Sequence, residues 1–99
     1  MRYKIDGKIY DTETSTRHWA SRQDFDGSNM IDRATGSQWA QQTLYRSPKG
    51  TYYLEHWSQY QDSTATAEVL PPAEAAAWLL EMDYCLPADL QQFADEILG

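Results

Sequence analysis

The residues best suited to covalent chemistry are one cysteine and two histidines, Cys85, His18 and His56. A thiol beside an imidazole base is the arrangement that activates cysteine nucleophiles. Cys85 stands between apolar stretches, outside any sequence context typical of such nucleophiles, and this favours a buried, inert thiol. The chain also lacks the short H-x₃-H or C-x₂-C spacings of zinc ligands. We therefore expect no metal site, no cofactor and no enzymatic activity.

A second group of chemically capable residues is the pair Asp24 and Asp26, in Asp24-Phe25-Asp26-Gly27-Ser28. Closely spaced carboxylates serve acid–base chemistry or calcium binding, but the terminal glutamate of a twelve-residue calcium loop is missing. An Asx-rich turn is the simpler interpretation. Gly27 and Gly36 do not form a G-x-G-x-x-G or P-loop pattern, which argues against a nucleotide site.

Acidic and basic residues are divided unequally between the two halves of the chain. Residues 1–50 hold all eight lysines and arginines against six carboxylates, and residues 51–99 hold nine carboxylates and no lysine or arginine. The formal charges of +2 and −9 add to the net charge of −7. Such asymmetry points to an interaction surface that attracts basic proteins and repels nucleic acid.

The candidate partner-binding residues lie in the acidic C-terminal part. Glu74 and Glu81 are seven positions apart on one predicted helix face, as are Asp89 and Glu96, so each pair is separated by ~10 Å. Asp83 and Asp95 extend the same acidic surface: the full candidate set is Glu74, Glu81, Asp83, Asp89, Asp95 and Glu96. This surface suits a protein groove built for DNA or RNA. The alternative is an ordinary solvated flank whose charge serves solubility.

Direct nucleic-acid binding would use the basic first half, with Trp39, Tyr45 and Tyr52 as stacking groups. A charge of +2 over fifty residues is a weak attractor for phosphates, and the acidic half opposes it. We expect no direct binding to nucleic acid.

Length and composition indicate a single domain over residues 1–99. Four Trp, seven Tyr and two Phe supply enough apolar surface for a core. No stretch approaches the ~20 apolar residues of a membrane helix, and the N-terminus lacks the apolar region of a signal peptide. One cysteine excludes an intrachain disulfide. These features predict a cytoplasmic protein without a membrane segment.

The first half of the chain reads as a hairpin, a short helix and a loop. Residues 2–10 form the hairpin around Asp6-Gly7, a dipeptide that favours type I′ turns. Asp11 and Thr12 are suited to cap a helix reaching about Ala20, which would put His18 on its polar face. Residues 21–36 are rich in turn formers, and we expect a loop long enough to be a candidate functional segment.

The second half begins with a clearer hairpin. Its arms, residues 39–46 and 51–59, flank Ser47-Pro48-Lys49-Gly50, where Pro and Gly suit a type I turn, and His56 lies in the second arm. Residues 64–70 predict another strand. Residues 73–82 then predict a helix with an apolar stripe, and Pro87 begins a last helix. The expected fold is α+β: a small antiparallel sheet of three to five strands with two C-terminal helices packed on one face.

Three segments resemble a group of short proteins from bacteriophages and integrative elements. They are residues 4–14, 43–54 and 75–79, which include the start D-G-K-x-Y-D-T and a hairpin of the form L-Y-R/K-…-G-x-Y-x-L. The resemblance covers about two-thirds of the chain, and its motifs are turn and strand signals. It therefore implies a shared fold more than a shared activity, and no catalytic residue carries over. Small acidic proteins from such elements include inhibitors of host defence, among them anti-CRISPR proteins.

Together these observations favour a non-enzymatic interaction protein of a phage or mobile element. It would inhibit a nucleic-acid-handling host defence complex in the bacterial cytoplasm through acidic blockade, with DNA mimicry as one form of that mechanism. The alternative is a regulatory, antitoxin-like protein with a basic partner, or a structural protein whose charge is incidental.

Overall fold

Antiparallel strands occupy the first part of the chain and helices the last part. The computed structural model describes residues 1–59 and 64–98. Its strands are β1 (Arg2–Ile5), β2 (Lys8–Asp11), β3 (Arg17–Ala20), β4 (Gln23–Phe25), β5 (Met30–Asp32), β6 (Ala40–Arg46), β7 (Tyr52–Ser58) and β8 (Thr66–Leu70). Its helices are α1 (Pro72–Glu81), a 3₁₀ helix (Ala88–Phe93) and α2 (Ala94–Ile97). The fold is α+β, as the sequence predicts.

The central sheet has four antiparallel strands in the order β3-β6-β7-β8. The predicted hairpin forms its middle: Leu44 pairs with Leu54, and Tyr45 with Tyr53. Its turn is closed by Gly50, whose φ is 89° and whose N–H donates to the Ser47 carbonyl at 2.9 Å. Because side chains alternate between faces, the paired leucines face the helices and the paired tyrosines face the opposite side.

The helices cover one face of this sheet. The predicted stripe on α1 is confirmed, since Trp78, Leu79 and Met82 are buried together with Ala75. They pack in one cluster with residues of the sheet and the 3₁₀ helix, namely Trp19, Leu44, Tyr52, Leu54 and Leu90. Among the described residues, no helix has the length and apolar character needed to cross a membrane.

The N-terminal hairpin β1–β2 is also confirmed. Asp6 and Gly7 have φ values of 51° and 79°, the positive angles that a type I′ turn requires. Tyr10 packs against Tyr53 with ring centroids 5.1 Å apart, so this hairpin lies on the sheet face opposite the helices. The central sheet is therefore covered on both sides.

The helix predicted from Asp11 to Ala20 is wrong. The Asp11 carboxylate accepts the N–H of Glu13 at 2.9 Å, which makes a turn, and β3 follows. Trp19 pairs with Leu44 and becomes buried in the core, so tertiary packing outweighs the local capping signal. His18 accordingly lies on a strand and not on a helix face.

The loop predicted over residues 21–36 contains a second small hairpin. Strands β4 and β5 pair antiparallel, with Gln23 opposite Asp32 and Phe25 opposite Met30. Each strand has only three residues, which is too short for alternation to be recognised in the sequence.

The last helix differs from a single α-helix. It begins as a 3₁₀ helix in which the Leu90 N–H donates to the Pro87 carbonyl at 2.9 Å, and only Ala94–Ile97 are α-helical. Asp89 and Glu96 therefore lie on different types of helix, and their expected alignment along one α-helical face is wrong.

Candidate interaction surface

The cysteine and histidines do not form a joint site. Cys85 is exposed, so the expectation of a buried thiol is wrong: the residue lies in the connection after α1, outside the core stripe. His18 stands on the sheet face of Tyr45, with ring centroids 6.0 Å apart. His56 faces the helix side, where it contacts Gln42. In the described part of the chain, no three His, Cys, Asp or Glu side chains converge as metal ligands.

The aspartates of the 24–28 segment are used for structure. Asp26 Oδ1 accepts the N–H groups of Ser28 and Asn29 at 2.9 and 2.8 Å, the Asx turn that the sequence predicts. These hydrogen bonds hold the pKa of Asp26 below its usual range. Asp24 is bound by Arg33, and this bond lowers the pKa of Asp24 as well.

The three aromatic residues considered for base stacking do not share a surface. Tyr52 is 2% exposed and belongs to the core under the helices. Tyr45 lies on the other side of the sheet, and Trp39 lies before the start of β6. Successive bases of a nucleic-acid strand could therefore not stack on all three rings.

On the face opposite the helices, phenol groups gather around one carboxylate. Tyr3 and Tyr45 both donate to Glu55, the latter at 3.5 Å, and Tyr45 stacks on Tyr53. Burial and the Glu55 charge raise the pKa of Tyr45 to about 12, and burial together with the hydrogen bond to Glu55 raises the pKa of Tyr3. Since neutral phenols donate well to a carboxylate, this cluster fastens the N-terminal hairpin to the sheet.

Two of the six candidate carboxylates are paired with arginines from the first half. Arg33 Nη1 lies 2.7 Å from Asp83 Oδ2. Asp89 accepts a hydrogen bond from the Tyr52 hydroxyl at 2.8 Å and pairs with Arg46 Nε at 3.3 Å. Burial acts to raise the pKa of Asp89, but these two hydrogen bonds outweigh it and hold the pKa below its usual range.

The other four candidate carboxylates are exposed and form no ion pair within the described residues, which include every lysine and arginine of the chain. They are Glu74, Glu81, Asp95 and Glu96. Glu74 and Glu81 lie near opposite ends of α1, away from its buried stripe. Asp95 and Glu96 lie on α2, which has no buried residue. We refer to these four exposed positions on the two helices together as the acidic face.

The arginines of the first half are held by the body of the protein. Arg22 Nε donates to the Met82 carbonyl at 2.6 Å, and Arg33 Nη1 donates to the Glu81 carbonyl at 3.2 Å. Both cations thus bind the C-terminal end of α1, where the helix dipole is negative. No basic residue lies in the last turn of α1 itself, so no local pattern could reveal these long-range caps.

Aromatic rings hold one further cation, Arg17, and also contact Arg22, and two lysines lie elsewhere. Arg17 stacks over Trp19 at 4.6 Å, and Arg22 over Tyr84 at 4.3 Å. Lys8 and Lys49 line a groove of about 410 Å³ between the N-terminal hairpin and the β6–β7 turn. Four exposed carboxylates without an ion pair therefore lie on the helices, while Lys8 and Lys49 lie at the hairpins.

A chain of hydrogen bonds connects the helix layer to the sheet edge. Trp78 Nε1 donates to Gln42 Oε1 at 2.9 Å, which turns the Gln42 amide nitrogen toward His56 Nδ1 at 3.2 Å. An amide nitrogen only donates, so Nδ1 must accept and the neutral ring carries its proton on Nε2. Nε2 donates this proton to Glu68 Oε1, which lies 3.1 Å from Nε2.

Comparison of the chain with protein-family models, with curated protein sequences and with solved structures gives no match.

Proposed function

We propose that this chain is a non-enzymatic acidic interaction protein that occupies a basic nucleic-acid-binding groove of a host protein complex. In this proposal a phage or mobile element encodes it, and its target is a bacterial defence complex such as a CRISPR effector. The observation that carries the proposal is the acidic face, four exposed carboxylates without bound cations on the helix layer.

The distribution of arginines supports this mechanism. Arg33 and Arg46 pair with Asp83 and Asp89, and Arg22 binds the Met82 carbonyl, so none of the three forms an ion pair with a carboxylate of the acidic face. Asp83 and Asp89 then serve mainly to hold the helices in place. The remaining field attracts cationic surfaces and speeds their encounter with the chain.

The positions of the side chains also argue for binding in place of catalysis. The nucleophile and base candidates are on separate elements, and the carboxylates with altered pKa values are fixed by hydrogen bonds to neighbouring groups. A rigid scaffold with unpartnered surface carboxylates is suited to recognition by charge.

The proposal is tested by phage plating on a panel of bacterial strains, each carrying one CRISPR or restriction system directed against the test phage. Production of the wild-type chain should restore plating on at least one strain. Glu74→Gln, Glu81→Gln, Asp95→Asn and Glu96→Gln combined should remove most of this effect.

A matched control is Asp6→Asn with Glu13→Gln, two exposed carboxylates in the turn of the N-terminal hairpin and in the turn after it, compared with Glu74→Gln and Glu81→Gln alone. Asn is suited to the positive φ of position 6, so the turn is kept. Restoration on no strain, or equal restoration by all variants, would contradict the proposal.

A further inference from the structure

The β4–β5 hairpin exposes two large apolar side chains at its end. Phe25 is 68% exposed and Met30 is 47% exposed. The two residues are direct cross-strand partners, so their side chains lie side by side on one face of the hairpin. Exposed apolar groups that lie side by side on one face are candidates for a contact site.

The hairpin is held firmly despite its small size. Arg33 donates two parallel hydrogen bonds to Asp24, Nε to Oδ2 at 3.0 Å and Nη2 to Oδ1 at 2.8 Å. The same guanidinium also binds Asp83. A two-stranded hairpin alone is only marginally stable, so these bonds supply order that the strands lack.

The base of the hairpin is equally well fixed. Asp32 is 1% exposed; its Oδ1 accepts the N–H groups of Ala34 and Thr35 at 2.9 and 3.2 Å, and its Oδ2 accepts the Ser21 hydroxyl. An apolar pair presented on a braced element loses little conformational freedom on binding.

The surroundings of the pair define the chemistry of its partner. Asp26 lies in the turn next to Phe25 and stays ionised because two backbone N–H groups bind its carboxylate. A complementary surface therefore has an apolar pocket with lysine or arginine at its rim. A second copy of this chain is a poor fit, since it carries a net charge of −7 and would repel Asp26 and the acidic face.

We propose that Phe25 and Met30 are the apolar anchor that enters a pocket on the basic surface of the protein partner, with Asp26 facing a cation at the pocket rim. This inference rests on the proposed function, because the partner is the same. The acidic face supplies long-range attraction, and the anchor supplies the desolvated contact at which interface energy concentrates.

The test is photo-crosslinking in producing cells, with benzoylphenylalanine placed at position 25 and, as a control, at position 9. Ile9 is 69% exposed on the other hairpin, so it reports nonspecific contact. Position 25 should give one discrete adduct, and its cross-linked peptide should carry apolar residues flanked by lysine or arginine. Asp26→Asn keeps the Asx acceptor and removes the charge, so it should lower the adduct yield several-fold.

Three outcomes would overturn the anchor: no adduct beyond that at position 9, an adduct with the mass of two copies of the chain, or a cross-linked peptide without basic residues. Phe25→Ser combined with Met30→Ser should also lower phage plating at least tenfold, whereas Ile9→Ser should not. If the adduct forms but no strain shows restored plating, the anchor is supported and the proposed function is refuted. If plating is restored but no adduct forms, the proposed function is supported and the anchor is refuted.

Discussion

Arg33 and Asp83 lie fifty positions apart in the chain, and their side chains meet with Nη1 2.7 Å from Oδ2. Asp83 has a φ of 62° and ends α1: its N–H donates to the Leu80 carbonyl, and the Tyr84 N–H donates to the Leu79 carbonyl. This is a Schellman-type helix end with aspartate at the position that usually holds glycine. The arginine thus holds a residue whose backbone conformation is unfavourable for a side chain.

Asp83→Gly and Asp83→Ala should separate the backbone effect from the ion pair. Both remove the carboxylate, but only glycine adopts a positive φ without steric cost, so Asp83→Ala should be the less stable by about 1 kcal/mol. Urea unfolding followed by circular dichroism measures the difference. Equal midpoints for the two variants would show that the left-handed conformation is not the determining feature.

Trp78 is the main apolar anchor of α1 and is 8% exposed. Trp78→Ala should cost about 3–5 kcal/mol of unfolding free energy, because a large cavity opens and Gln42 loses its donor. Trp78→Phe keeps much of the volume and should cost less. The control is Ile9→Ala on an exposed position, which should be near neutral. A midpoint for Trp78→Ala equal to that of the control would refute the assigned core.

The alkaline pH dependence follows from the phenol groups. Burial and the bond to Asp89 raise the pKa of Tyr52 to about 12, above the ordinary value of 10.0. Between these values the unfolded chain releases the proton and the folded chain keeps it, so stability falls as pH rises from 10 toward 12. Tyr52→Phe removes one such group and should flatten this decline. The measurement is the free energy of unfolding at several pH values between 10 and 12. A decline with pH as steep in Tyr52→Phe as in the wild type would contradict the raised pKa of Tyr52.

The hydrogen-bond chain from Trp78 to Glu68 predicts that its members are coupled. His56→Phe removes the nitrogen that accepts the Gln42 amide N–H, so Gln42 loses one of the two bonds that fix its orientation. The Trp78 indole N–H signal should then move in ¹H–¹⁵N spectra. An indole signal that stays fixed in the variant would contradict the network.

The hairpins and α1 could be predicted because their signals are local. Asp6-Gly7 and Gly50 adopt the positive φ angles that the turns need, and the stripe with Trp78 has helical spacing. Strand β3 could not be predicted, because Trp19 is drawn into the sheet by Leu44, far along the chain. Local capping signals carry no information about such a partner.

The candidate surface was only partly accessible to sequence reasoning. The exposure of Glu74 and Glu81 follows from their positions relative to the buried stripe of α1. The pairing of Asp83 and Asp89 with arginines depends on tertiary contacts between the two halves of the chain. A count of charges in each half cannot reveal such contacts. The exposure of Phe25 could not be predicted either, because its strand has only three residues and is too short to be recognised in the sequence.

The most direct test of the central claim is competition between the chain and labelled nucleic acid for one binding site. The site is on the defence complex that the plating panel identifies. Fluorescence anisotropy of the labelled nucleic acid measures the competition as salt rises from about 50 to about 200 mM. The wild-type chain should displace nucleic acid, with an affinity that falls steeply with salt because exposed charges are screened over about 10 Å at 0.1 M. The combined Glu74→Gln, Glu81→Gln, Asp95→Asn and Glu96→Gln variant should bind more weakly at low salt and depend less on salt. Asp6→Asn with Glu13→Gln should behave as the wild type. Equal, salt-independent affinities for all three proteins would contradict binding through the acidic face.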